Sequence, residues 1–135
     1  MTDPAKVAPI FHLSFPVRDL DEAIAFYSAL GGVVGRREMG WADVALFGAQ
    51  LTLQQVPGEV LQPMPRSRHF GATLPWPDWE QLVAQLDGFV EGPRIDYAGT
   101  DREQAKAMIA DPSGNLIELK AYRQAAAVLG PLAGR

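Results

Sequence analysis

Two histidines and one strand carboxylate carry the most specific chemistry in this chain. His12 and His69 are its only histidines, and Glu118 lies in "NLIELK" with apolar neighbours on both sides. A carboxylate in such a setting is costly unless it is ion-paired, hydrogen-bonded or bound to a cation. Lys120 and Arg68 are the candidate ion-pair partners, and a metal ion is the alternative. Two imidazoles and one carboxylate that leave coordination positions open form the facial triad of non-haem Fe(II). The same donors suit Mn(II), Ni(II) or Zn(II).

The elements that would position these groups follow from local pattern. Asp111, Pro112 and Gly114 have the residue preferences of a type I turn. A strand over 115–120 then sets Leu116, Glu118 and Lys120 on one face and Ile117 and Leu119 on the other. Residues 10–17 alternate, with Phe11, Leu13, Phe15 and Val17 on a core face and Ile10, His12 and Ser14 opposite. Residues 68–74 alternate likewise, with Phe70, Ala72 and Leu74 against His69, Gly71 and Thr73. Asp19 and Glu22 predict a capping box ahead of a helix whose apolar stripe is Ala23, Ile24, Phe26, Tyr27 and Leu30, stopped by Gly31 and Gly32. Trp79, Leu82, Val83 and Leu86 predict a second amphipathic helix that Gly88 ends. Further strands are expected at 33–38, 41–47, 50–56, 89–95 and 104–110, with a polar loop near 99–102. Residues 1–9 read as a loose lead-in, 57–65 with three prolines as a linker or loop, and 121–135 as a short helix or a frayed tail.

The pattern repeats. His12 and His69, Asp21 and Asp78, and Gly31 and Gly88 are each 57 residues apart (12 to 69, 21 to 78, 31 to 88), so an internal duplication is expected. The fold class is α+β, with two βαβββ modules at about 10–56 and 67–120 in one domain. Both histidines and Glu118 fall on faces opposite the helix-packed core. If those faces line one cavity, the three groups converge there. By parity Gln104, Lys106 and Met108 share a face, and Lys106 could bind an anionic substrate oxygen. Arg94 and Tyr97, just ahead of the polar loop, are substrate contacts or caps of the sheet. Trp41 and Trp76 are cavity wall or core. Aligning Gly48 with Gly114 puts Thr52 opposite Glu118, with Gln54 two residues on and on the same face, where its amide is a weak ligand or substrate contact.

Composition narrows the classes. The chain has 135 residues, 47% apolar and 21% charged, with a formal charge of −4, which suits one globular domain and gives no basic footprint for nucleic acid. The absence of cysteine excludes disulfides, thiolate metal sites and a cysteine nucleophile. No apolar run approaches the roughly 20 residues of a membrane span, so a cytoplasmic protein without a membrane partner is expected.

With these residues in place the chain resembles the vicinal oxygen chelate superfamily of glyoxalases, bleomycin-resistance proteins and extradiol dioxygenases. "HLSFPVRDLDEAIAFYSALGG" is similar to its first strand and helix, "RHFGATL" to the start of its second module, and "DPSGNLIELK" to its closing turn and ligand strand. "PVRDL", "RHFG", "REQAKAMIADPSGN" and "LKAYR" are most similar to small single-domain extradiol-dioxygenase-like proteins. The resemblance implies two βαβββ modules forming a curved mixed-sheet cup with helices outside, around a divalent metal. His12, His69 and Glu118 match the ligand positions. The activity implied is a metal-dependent oxygenase of the extradiol type, with Fe(II) and O2, acting on a small vicinal diol, catechol or enediol. The alternatives are a glyoxalase-like or epimerase-like isomerase or lyase and a non-catalytic bleomycin-resistance-type binding protein. Relatives of the glyoxalase type take a fourth ligand from the strand that holds Gln54. Ring-cleaving relatives place a tyrosine where this chain has Met108, and no residue here is assigned to proton transfer. A monomer or a homodimer is compatible, with residues 129–132 as a possible contact.

Overall fold

Alternation and glycine punctuation build the same unit twice. The computed structural model describes residues 8–134; of the expected lead-in, residues 1–7 lie outside the described residues. The first unit contains β1 (His12–Val17), α1 (Leu20–Ala29), β2 (Val33–Glu38), β3 (Trp41–Leu46) and β4 (Ala49–Gln55). The second contains β5 (His69–Thr73), α2 (Trp76–Ala84), β6 (Glu91–Asp96), β7 (Gln104–Ala110) and β8 (Leu116–Tyr122), followed by α3 (Ala125–Leu129). Each unit forms a four-stranded mixed sheet, in the orders β1-β4-β3-β2 and β5-β8-β7-β6. Within each, the outer first strand runs parallel to its neighbour and the other pairs are antiparallel. No helix among the described residues is long and apolar enough to cross a membrane.

In the first unit the core side of the sheet offers Val17, Val44, Leu51 and Leu53 to Ala23 and Tyr27 of α1 and to Leu30 just after it, all buried. Removing each large apolar side chain from water is worth about 1.5–3 kcal/mol. Asp19 caps α1 by accepting the Glu22 backbone N–H at 2.9 Å. Only this half of the expected box forms, because the Glu22 carboxylate takes Arg18 Nε at 2.7 Å instead. Gly31, at φ +102°, ends the helix in the left-handed region that a glycine enters freely. The tip of the turn between β7 and β8, Asp111–Ser113, groups with this unit. There the Tyr27 hydroxyl donates to Asp111 Oδ2 at 2.7 Å, Ser113 N–H donates to Asp111 Oδ1 at 2.8 Å, and Ser113 Oγ accepts Arg18 N–H at 2.8 Å. Burial first, then the Asp111 charge and hydrogen bond, push the Tyr27 phenol well above its ordinary range.

In the second unit Trp79 and Val83 of α2 pack on Ala105, Ala107, Ile117 and Leu119. The Trp79 indole N–H donates to the Leu119 carbonyl at 2.8 Å, giving the ring's polar atom a partner in the core. The helix starts at Trp76, ahead of the apolar stripe, with Pro77 in its first turn where no N–H is required. Strand β8 runs on to Tyr122, and β6 begins at Glu91 rather than 89. The tail forms α3 and one 3₁₀ turn, Gly130–Leu132.

Candidate functional site

The second sheet brings His69 and Glu118 together. Strand β5 lies parallel to β8 with Gly71 across from Glu118 and His69 across from Leu116. Gly71 permits this approach: a Cβ there would sit 2.7 Å from the Glu118 carbonyl carbon and 2.9 Å from its nitrogen, with the carbonyl oxygen nearer still. His69 Nε2 consequently stands 3.9 Å from Glu118 Oε2. On the ring's other side Nδ1 is 2.7 Å from the Arg66 carbonyl oxygen. A carbonyl only accepts, so in the neutral ring Nδ1 carries the proton and Nε2 presents its lone pair towards Glu118.

Glu118 is mostly buried, with 12% of its side chain exposed, and its other oxygen is 3.7 Å from Lys120 Nζ. The ion pair considered from sequence is thus present, made by Lys120. His69, Gly71, Thr73, Glu118 and Lys120 line a groove of about 290 Å³. Across the sheet Met108 pairs with Glu118 and Glu91, while Lys106 pairs with Lys120 and Arg94. Met108 is buried, with Arg66 Nη1 3.8 Å from its sulfur. Arg94 is held by Asp96 at 3.2 Å and lies 4.0 Å from Glu91. Of the weaker candidates, Lys106, Met108 and Arg94 therefore share the face that carries His69 and Glu118. Tyr97 does not lie on a strand: it follows β6 at φ +55°, exposed, with the Arg102 guanidinium 5.1 Å from its ring centre.

His12 lies on the corresponding face of the first sheet. Gln54, on that face too, donates its amide N–H to Ser14 Oγ at 2.7 Å. Thr52 occupies the place across from Ser14 that Glu118 occupies across from Gly71. This face has an acid that sequence reasoning missed. Asp43 on β3 is buried beside Thr52, accepting Thr52 Oγ1 at 2.8 Å and Arg36 Nε at 2.6 Å. Burial alone would raise its carboxyl, but the hydrogen bonds from Arg36 and Thr52, with the charges of Arg36 and His12, hold it below the usual carboxylate range. The signal was available: Asp43 sits between Ala42 and Val44 in a strand, as Glu118 sits between Ile117 and Leu119. Trp41 is half-buried beneath the Arg36 guanidinium, 4.9 Å from the ring centre. Among the described residues of either unit, no three His, Asp or Glu side chains gather into a group that holds a metal.

Solved structures similar to the chain fit this architecture. A glyoxalase/bleomycin resistance protein/dioxygenase from Alicyclobacillus acidocaldarius is 30% identical, with a TM-score of 0.75 over 91% of this chain and 96% of that one. A bleomycin-binding protein complexed with bleomycin is 25% identical, with a TM-score of 0.61 over 84% and 98%. The fosfomycin resistance protein FosX from Listeria monocytogenes shares the fold, at 12% identity and a TM-score of 0.66 over 86% and 94%. No curated protein matches the chain. The family model described as the Glyoxalase/Bleomycin resistance protein/Dioxygenase superfamily matches residues 10–119, and the chain belongs to that superfamily.

Proposed function

We propose that the chain is a metal-dependent oxygenase of the extradiol type, acting on a small vicinal diol, catechol or enediol. In this reading His69, Glu118 and His12 hold one divalent ion, Fe(II) in the active form. The observation that carries it is the state of His69. Its Nδ1–H is committed to the Arg66 carbonyl and its Nε2 lone pair faces a carboxylate oxygen at 3.9 Å, the arrangement by which a second partner fixes and orients a ligating imidazole. The 3.9 Å gap is too long for a hydrogen bond. It is also shorter than twice the roughly 2.1 Å bond that nitrogen and oxygen make to a first-row divalent ion, so both donors reach toward a common ion, and drawing together by about 1 Å would bring them to the roughly 3 Å that separates neighbouring ligands. His12 is included as the third donor because it occupies the repeat position equivalent to His69.

When bound, such an ion would make a chelating hydroxyl more acidic and supply the redox chemistry that oxygen insertion needs. The chain's own groups do the remaining work. Gly71 lets β5 lie close enough to β8 for His69 to reach Glu118, and the Arg66 carbonyl sets the imidazole tautomer. Glu118 contributes the single negative charge of the donor set, with Lys120 beside its second oxygen. Met108 closes the face with an apolar side chain and carries no proton to exchange.

Anaerobic loading with Fe(II), elemental analysis and O2 uptake on a panel of catechols and enediols test the reading on one sample. About one metal per chain is expected, with His69→Ala losing it and O2 consumed with substrate. No bound metal after reconstitution would refute the site. Bound metal with turnover but no O2 uptake would replace the oxygenase with an isomerase, and tight binding of a bulky planar compound without any metal would indicate sequestration.

A further inference from the structure

The face that carries His69 and Glu118 also carries a lysine with no acid of its own among the described residues. Lys106 on β7 lies directly across from Lys120 on β8, and Arg94 on β6 lies directly across from Lys106. Like charges opposite one another across a strand pair destabilise a sheet, yet three cations stand in one row. Two of them have acids at hand: Arg94 has Asp96 and Glu91, and Lys120 has Glu118. Lys106 is half-buried, and among the described residues its ammonium has no hydrogen bond or ion pair. Glu91, Arg94, Lys106, Met108 and Glu118 border one shallow crevice that has no room for a water molecule.

We propose that Lys106, with Lys120 beside it, is the subsite for a carboxylate on the substrate, so that the substrate class is a diol or catechol bearing an acid group. The inference rests on the metal reading above for the place of the diol, because Glu118 would hold the ion and the row of ammonium groups lies one side-chain repeat along the strands. Two residues of strand set that step at about 7 Å. A benzene ring with vicinal hydroxyls at one end and a carboxylate at the other spans it. One uncompensated ammonium matches a monoanion better than a doubly charged phosphate, and a lysine binds it as a point charge without the paired geometry of arginine.

The test compares 3,4-dihydroxybenzoate with its neutral counterpart 3,4-dihydroxybenzamide by isothermal titration calorimetry on Zn(II)-loaded protein, with metal content measured on the same samples. The acid is expected to bind about tenfold or more tighter, the scale of a hydrogen bond to a charged group. Lys106→Met should abolish the difference and Lys106→Arg should retain most of it. Lys106→Met should also unfold at no lower temperature than the wild type, since it relieves the opposition to Lys120. Equal affinity of acid and amide for the wild type, an undiminished preference in Lys106→Met, or a lower unfolding midpoint for that variant would each overturn the subsite. Benzoate against benzamide on metal-free protein reads the subsite alone. A Lys106-dependent preference there, in a protein that takes up no metal, sinks only the metal reading. Normal metal content with no acid preference sinks only the subsite.

Discussion

Gly71→Ala tests the close approach of β5 to β8 that positions His69. The added methyl would meet the Glu118 backbone, with the carbonyl carbon at 2.7 Å and the nitrogen at 2.9 Å, where carbon atoms settle at roughly 3.5–4.0 Å. The obstacle is main chain in a paired strand, so no side-chain rotation relieves it and β5 has to move away by about 1 Å or more. Overpacking of this type costs about 1–3 kcal/mol, and the rigid obstacle places Gly71→Ala near the top of that range. For a chain of this length about 3 kcal/mol corresponds to a fall of roughly 10 °C in Tm. The shift also pulls His69 from Glu118, so metal uptake should drop more than stability alone accounts for at temperatures where the variant is folded. Gly58→Ala is the control, since Gly58 has no neighbour within 4 Å of a built Cβ and no left-handed φ. Thermal unfolding followed by circular dichroism, with metal content on the same samples, reads both effects. A Gly71→Ala midpoint equal to that of Gly58→Ala would refute the reasoning.

Two further substitutions address the buried acids. Tyr27→Phe removes the hydroxyl that donates to Asp111 and should cost about 1–3 kcal/mol in denaturant unfolding, because Asp111 is buried. Tyr27 is raised above its unfolded value, so its contribution is full below about pH 10 and is lost as pH rises through the folded value; the variant should show a flatter alkaline limb. Asp43 is depressed, so its contribution is present above about pH 4 and is lost as pH falls through the folded value. Asp43→Asn should therefore be less stable than wild type at neutral pH and close the gap in acid, as measured by unfolding between pH 2 and 7; a gap that widens in acid would contradict the assignment.

Much of this architecture is legible in the sequence because the pattern is local. The strands at 33–38 and 104–110 fall where alternation puts them, and parity grouped Gln104, Lys106 and Met108 on one face of their strand and Leu116, Glu118 and Lys120 on one face of theirs. Long-range partners are another matter. Tyr27 and Asp111 are 84 residues apart, and nothing in either neighbourhood signals that a phenol on a helix meets a turn carboxylate. Parity could not reveal that these faces of β7 and β8 are one face of the sheet, or that Lys106 lies across from Lys120, since both depend on the register of β7 against β8. Asp43 was missed for a different reason: the residue opposite Glu118 by repeat alignment is Thr52, and the first unit carries its acid one strand over.

The edge strands explain why that displaced acid behaves so differently. Each sheet has an irregularity on its outermost pair, between Val34 and Arg37 in one and between Glu91 and Arg94 in the other. The first falls opposite Asp43 and turns Arg36 onto the carboxylate, whereas the second falls opposite Ala107, on the core side. In the first unit the irregularity thereby supplies the acid's counterion from the edge strand. The other keeps an acid between an imidazole and a lysine, and although the two edge strands bulge at positions 57 residues apart (34 to 91, 37 to 94), a one-residue difference in how each bulge faces its neighbour gives the twin halves acids with different surroundings.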